Sequence, residues 1–194
     1  MTPLTCRRSM LGAAALGAFC AAASPAPAQR VGDRSRFLWV RNGAGEEVAG
    51  HYIRADGWID WRLVQRMQHL FRDLRENTAG PMPVLLLDVL WLIQTGWRAE
   101  RPLILLSGYR TPRTNASLEG AAFNSRHMEG QAADIALRDV PIGQVAEAAT
   151  SFSRLYNFMG VGTYPGFVHV DIGPKRAWER GGMRRIAERP TPSP

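Results

Sequence analysis

The stretch Ser125-Arg126-His127-Met128-Glu129-Gly130-Gln131-Ala132-Ala133-Asp134, running on into Ile135-Ala136-Leu137, decides how the rest of the chain is read. Seven residues span about two helical turns, roughly 10 Å, so His127 and Asp134 could not meet on one helix. Gly130 lets the backbone turn between them, Ala132 and Ala133 leave room beside them, and Asp134 opens an apolar run with strand character. A carboxylate projecting from a strand is rigidly placed. A second stretch, Phe167-Val168-His169-Val170-Asp171, alternates in polarity. On a strand it puts Phe167, His169 and Asp171 on one face and the valines on the other. A single histidine in such a strand is more often a core residue with satisfied polar atoms. Two such stretches in one chain point instead to a metal. Zinc in a hydrolase takes three protein ligands and keeps one position open, and His127, Asp134 and His169 supply that set. Asp171 is close enough to orient His169 or to serve as a general base.

Working outward, Leu103-Ile104-Leu105-Leu106 reads as a buried strand that delivers Ser107-Gly108-Tyr109-Arg110-Thr111-Pro112 to a turn. Residues 115–130 read as a short helical piece and a loop, and residues 142–158 carry helical spacing. Gly160-Val161-Gly162-Thr163-Tyr164 and Phe167–Ile172 form two strands joined by Pro165-Gly166. Towards the N-terminus, Phe37–Val40 and Glu47–Ile53 flank Asn42-Gly43-Ala44-Gly45, the pattern of a hairpin. Asp60 caps a helix expected to run to about Glu76, with Leu63, Met67, Leu70, Phe71 and Leu74 on its apolar face and His69 beside that face. A second helix, Pro83 to Thr95, is apolar almost all round and is expected to be buried. Helices early and strands late make an α+β domain. The remaining candidates have ordinary roles: His51 is a strand residue, Glu119 and Glu129 are solvated, Asn115 and Asn124 hold a loop, and the tryptophans mostly pack. Ser107 lacks the surroundings of a nucleophile.

Composition fits a single domain. Of 194 residues, 45% are hydrophobic and 21% charged, which excludes a disordered chain. Residues 1–28 read as a cleaved export signal: Arg7 and Arg8 precede a weakly apolar run from Met10 to Ala23 that is too short to span a bilayer, and Ala26-Pro27-Ala28 offers a cleavage site. The paired arginines resemble a twin-arginine signal. Both cysteines, Cys6 and Cys20, fall inside this segment. The domain after Ala28 therefore has neither disulfides nor thiolate ligands. Residues 29–35 read as a linker, 36–180 as the domain and 181–194 as a loose tail. The formal charge of +7 becomes +5 once Arg7 and Arg8 leave with the signal. A basic exported domain suits an anionic envelope polymer. No nucleic-acid-binding pattern is present, and no stable membrane insertion is expected after cleavage.

Three segments together carry a family resemblance: Ser107-Gly108-Tyr109-Arg110-Thr111, Ser125-x-His127-x-x-Gly130-x-Ala132-x-Asp134, and Phe167-Val168-His169-Val170-Asp171. They resemble the M15 zinc peptidases, in the DUF882 branch that includes the murein endopeptidases K. The runs Gly160–Tyr164 and Arg176-Ala177-Trp178 fit that branch, and the likeness spans roughly residues 36–178. The resemblance implies a compact α+β fold shared with D-Ala-D-Ala carboxypeptidases and hedgehog domains, with a mainly antiparallel sheet carrying the site. It implies zinc on His127, Asp134 and His169, an Arg110 that faces substrate, peptidoglycan as partner, and periplasmic cleavage of peptide crosslinks. Many relatives have an acid three residues before the last histidine, as catalytic base. Here Gly166 stands there, so Asp171 is the expected substitute, with orientation of His169 as its rival role. Trimming of stem peptides by a D,D- or L,D-carboxypeptidase, and a non-catalytic zinc-stabilised wall-binding module, are the alternatives.

Overall fold

The computed structural model describes residues 34–180. The segments read as an export signal and a C-terminal tail, and most of the segment read as a linker, lie outside these residues. Seven strands form one sheet: β1 (Arg36–Asn42), β2 (Glu47–Ile53), β3 (Leu103–Ser107), β4 (Ala132–Leu137), β5 (Phe158–Thr163), β6 (Val168–Pro174) and β7 (Arg176–Glu179). Their order across the sheet is β2-β1-β3-β4-β6-β5-β7. Pairings β1/β2, β3/β4, β4/β6 and β5/β6 are antiparallel, whereas β1/β3 and β5/β7 are parallel. Four α-helices accompany them: α1 (Trp61–Leu70), α2 (Val84–Thr95), α3 (Pro112–Ala116) and α4 (Ile142–Tyr156). The mixture is α+β, with α4 falling late, between β4 and β5, rather than among the early helices.

Alternation along the central strands separates two faces. Ala133, Ile135 and Leu137 of β4, Val168 and Val170 of β6, and Met159 and Val161 of β5 enter the hydrophobic core. Helices α2 and α4 pack against that face and against each other. Asp134, His169, Asp171, Gly160 and Gly162 occupy the alternate positions and so belong to the opposite face. Leu86, Leu87, Val89, Leu90 and Ile93 of α2 are fully buried. Burying each such side chain contributes about 1.5–3 kcal/mol. Leu85, expected to be buried with them, is 45% exposed.

Helix α1 is shorter than its apolar spacing predicts. It ends at Leu70, and the buried carboxylate of Asp73 explains why. Asp73 accepts the backbone N–H groups of Arg75 at 3.0 Å and Glu76 at 3.4 Å, and of Thr111 at 2.9 Å. A short acidic side chain offers the backbone an alternative to the helix, and here it turns the chain and pins it to the start of α3. Leu74, read as part of the apolar face, is consequently 42% exposed. His69, expected to border the core, is exposed, while His51 lies in β2 with its ring edge-on to Phe37. Two of the tryptophans do not pack: Trp58 and Trp61 are 74% and 60% exposed.

Candidate metal centre

His127 arrives on a 3-10 turn, Arg126–Glu129, capped by the Ser125 hydroxyl, which accepts the N–H of His127 at 3.4 Å. Gly130 ends the turn in the left-handed region, at φ 65°, and a Cβ there would stand 2.8 Å from the carbonyl carbon of Pro81. Glycine is therefore required at position 130 both for its backbone angle and for close packing. The chain then enters β4, where Asp134 lies directly opposite His169 of β6 in the antiparallel register. Cross-strand partners hold their Cβ atoms about 4.5–5.5 Å apart, so sheet register alone brings these two side chains together.

Nε2 of His127, Oδ1 of Asp134 and Nδ1 of His169 converge. His127 Nε2 is 3.2 Å from His169 Nδ1 and 3.2 Å from Asp134 Oδ1, and His169 Nδ1 is 2.9 Å from Asp134 Oδ1. Bonds of about 2.0–2.2 Å in a tetrahedron separate neighbouring ligand atoms by about 3.4 Å. The donor set therefore fits a zinc-sized ion, and among the described residues these three form the cluster of metal-ligating type.

The far side of each group is engaged. His127 Nδ1 is 2.7 Å from the carbonyl oxygen of Gly108. A carbonyl only accepts, so Nδ1 carries the proton and Nε2 is left with a lone pair for the cleft. His169 Nε2 is 3.1 Å from Asp171 Oδ2, which likewise assigns the proton to Nε2 and the lone pair to Nδ1. Asp134 Oδ2 pairs with Nη2 of Arg110, whose Nε donates to the Ser107 hydroxyl at 2.8 Å. Such outer contacts fix tautomer and ring orientation at metal sites. Burial depresses the His127 pKa, which favours the neutral ring a metal needs. Burial opposes ionisation of Asp134, but the His127 and His169 imidazoles beside it outweigh burial and hold its pKa below the ordinary carboxylate range. His169 moves upward: burial disfavours its charge, yet the neighbouring Asp134 and Asp171 carboxylates prevail.

Asp171 is wholly buried. Its carboxylate meets His169 Nε2 on the edge of the ring away from Nδ1, accepts the Gly173 N–H at 2.8 Å and accepts Arg176 Nη2 at 2.6 Å. Arg126 Nε approaches Oδ1 at 3.5 Å. Gly166 lies in the turn between β5 and β6, and a Cβ there would meet nothing within 4 Å. A cleft of about 800 Å³ opens over the three converging groups, and Arg110, Glu119, Glu129, Tyr164, Phe167 and Trp178 are among its walls. Tyr164 and Phe167 stack with ring centres 4.4 Å apart, and Trp178 donates its indole N–H to the Tyr164 hydroxyl at 3.2 Å. Asn115 holds the loop on the other side, donating to the Ala122 carbonyl at 3.0 Å.

Sequence reading paired His169 with Asp171 but missed the arginines on Asp171 and the aromatic wall. Their contacts cross strands, and no spacing along the chain displays them. The one available signal was the alternation Gly160-Val161-Gly162, which leaves one face of β5 without side chains.

Comparison with known proteins settles the family. A profile of the M15 peptidases described as peptidoglycan L,D-endopeptidase MepK matches residues 30–178. The chain belongs to this family of M15 peptidases. Peptidoglycan L,D-endopeptidase MepK of Escherichia coli K12 is 35% identical over 175 residues, covering 87% of this chain and 93% of the relative. A probable peptidoglycan L,D-endopeptidase MepK of Haemophilus influenzae is 34% identical over 154 residues, covering 75% and 80%. All three segments that carry the resemblance to the M15 peptidases fall within the span matched by the family profile.

Proposed function

We propose that this M15 peptidase is a zinc-dependent peptidoglycan endopeptidase that hydrolyses L,D peptide crosslinks, with His127, Asp134 and His169 as its metal ligands. The convergence of Nε2, Oδ1 and Nδ1 at 2.9–3.2 Å, each backed by a fixed partner, carries this reading. The names of the relatives at 34–35% identity support the choice of substrate. When bound, zinc supplies Lewis acidity and makes water a usable nucleophile near neutral pH.

The chain's own residues do the rest. Gly108 and Asp171 hold the two imidazoles with their lone pairs turned inward, and Arg110 holds Asp134 by its outer oxygen. The Arg110 guanidinium also faces the cleft. There it stabilises negative charge that develops on the scissile carbonyl or takes a substrate carboxylate. Arg126, Arg176 and Arg180 add positive charge to the same walls, which suits the anionic stem peptides of the cell wall. Of the two roles open to Asp171, orientation of His169 is the one its position supports. It touches the imidazole edge that faces away from the cleft and is itself fully enclosed. A cleft of about 800 Å³ accepts a branched peptide. Among the described residues no helix is long and apolar enough to cross a membrane. Export by the segment 1–28 would deliver the domain to its substrate in the periplasm.

Digestion of purified sacculi, with the products read by mass, tests the proposal. Soluble muropeptides cut at L,D crosslinks, released by the protein and suppressed by a chelator, are expected. Release of single terminal amino acids would mark a carboxypeptidase. Zinc uptake with no product would mark a wall-binding module.

A further inference from the structure

The edge strand β7 holds a second kind of relationship to the site. In the parallel register of β5 and β7, Gly160 lies opposite Arg176 and Gly162 opposite Trp178. In the antiparallel register of β5 and β6, the same two glycines lie opposite Asp171 and His169. Two rows therefore cross three strands: Asp171–Gly160–Arg176 and His169–Gly162–Trp178. In each row the middle position has no side chain, and the outer residues meet over it. Arg176 donates to both oxygens of Asp171, at 2.6 Å and 3.3 Å. The Trp178 ring lies 5.3 Å from the His169 ring, and the Arg176 guanidinium is 5.3 Å from the Trp178 ring centre.

Space at the glycines is fully used. A Cβ on Gly160 would come within 2.8 Å of Asp171 Cγ and 2.9 Å of Arg176 Cζ. A Cβ on Gly162 would come within 2.5–2.7 Å of three indole atoms of Trp178. Both are closer than real Cβ contacts allow, so any side chain at either position must push β7's residues off β6.

We infer that β7 is a positioning strand for the metal centre: Arg176 and Trp178 reach across the Gly160/Gly162 trough to hold Asp171 and His169, and so fix the imidazole that turns Nδ1 into the cleft. The inference rests on the metal-centre reading above. Arg176 bears on His169 through Asp171, and Trp178 bears on the ring directly. Neither is a ligand. Outer residues of this type set metal affinity by fixing ligand orientation.

The test is zinc affinity, by competition with a chromophoric chelator, together with the visible spectrum of the cobalt-loaded protein, on the full chain and its variants. Arg176→Ala is expected to weaken zinc binding about 10- to 100-fold and to change the cobalt bands. Arg176→Lys recovers part of the loss, because one donor still reaches the carboxylate. Gly162→Ala moves both readouts in the same direction, and Lys175→Ala, next to Arg176 in sequence but outside the contacts of Asp171, moves neither. A role confined to anchoring the sheet edge would lower the melting temperature of the metal-free protein and leave affinity and spectrum of the folded protein alone. If Gly162→Ala does not fold, the Arg176 pair decides. Wild-type affinity and spectrum in Arg176→Ala and in Trp178→Ala would overturn the inference while the metal centre stands. A wild-type chain whose zinc uptake is indifferent to Asp134→Ala would overturn both.

Discussion

Asp73 and Asp171 are both buried carboxylates, 3% and 0% exposed, and they are partnered in different ways. Asp73 takes three backbone N–H groups, from Arg75, Glu76 and Thr111, and one side-chain hydrogen bond, from Thr114. Its bonds close a turn and tie it to α3, so their product is stability. Asp171 takes one backbone N–H, from Gly173, and otherwise side chains: His169, Arg176 and, at longer range, Arg126. Those partners face the cleft. Its bonds aim groups that act elsewhere. A buried acid satisfied mainly by the backbone builds the scaffold, whereas one satisfied mainly by side chains from several elements sets the geometry of a site.

The contrast breaks most readily at the three proposed ligands. Asp134→Ala removes one of the three converging groups and unpairs Arg110. It is expected to abolish zinc uptake and to reduce crosslink cleavage by a factor on the order of 1,000 or more, measured by dialysis against zinc and by muropeptide release. Next comes the direct comparison. Asp171→Ala is expected to lower zinc affinity and turnover together, by about 10- to 100-fold. Asp73→Ala is expected to cost about 1–3 kcal/mol of unfolding free energy, while the folded fraction binds zinc as the wild type does. Equal losses of affinity in the two variants would erase the distinction between them.

Acid pH sharpens it further. Burial raises the Asp73 pKa, but the hydrogen bonds from Thr114, Thr111, Arg75 and Glu76 prevail and leave it below the ordinary carboxylate range. A carboxyl group depressed on folding contributes stability above its unfolded pKa and loses it as pH falls through the folded value. Urea unfolding of metal-free protein should therefore show Asp73→Asn with a shallower loss of stability below about pH 4. An unchanged acid limb would refute the assignment. The smallest effect is expected at Glu46, whose pKa is lowered to about 2 chiefly by its hydrogen bonds to Arg72 and Asn42. Glu46 is exposed, so the pair is open to salt screening, and Glu46→Gln should shift the melting temperature slightly at low salt and not at high salt.

Much of this was legible in the sequence because it depends on short periods. The hairpin β1/β2, helix α2, and the faces of β4 and β6 follow from spacing, and the likeness to M15 peptidases drew the three candidate ligands together. The end of α1 was not legible, since Asp73 competes for backbone groups both locally and at Thr111, far along the chain. The role of β7 was not legible either. Arg176 reaches Asp171 only because Gly160 lies between them in the folded sheet, and that adjacency comes from strand order rather than from chain order. Gly166, which lacks the acid expected there, sits in open space. Nothing fills the gap sterically, and besides Asp134 the carboxylates of the cleft wall are Glu119 and Glu129.

The most direct measurement of the central claim is the zinc content of purified protein after dialysis, by elemental analysis, in the wild type and in His127→Ala, Asp134→Ala and His169→Ala. One zinc ion per wild-type chain is expected, with none retained by folded forms of the three variants. Full zinc content in any one of those variants, or a wild-type chain that holds none, would contradict it.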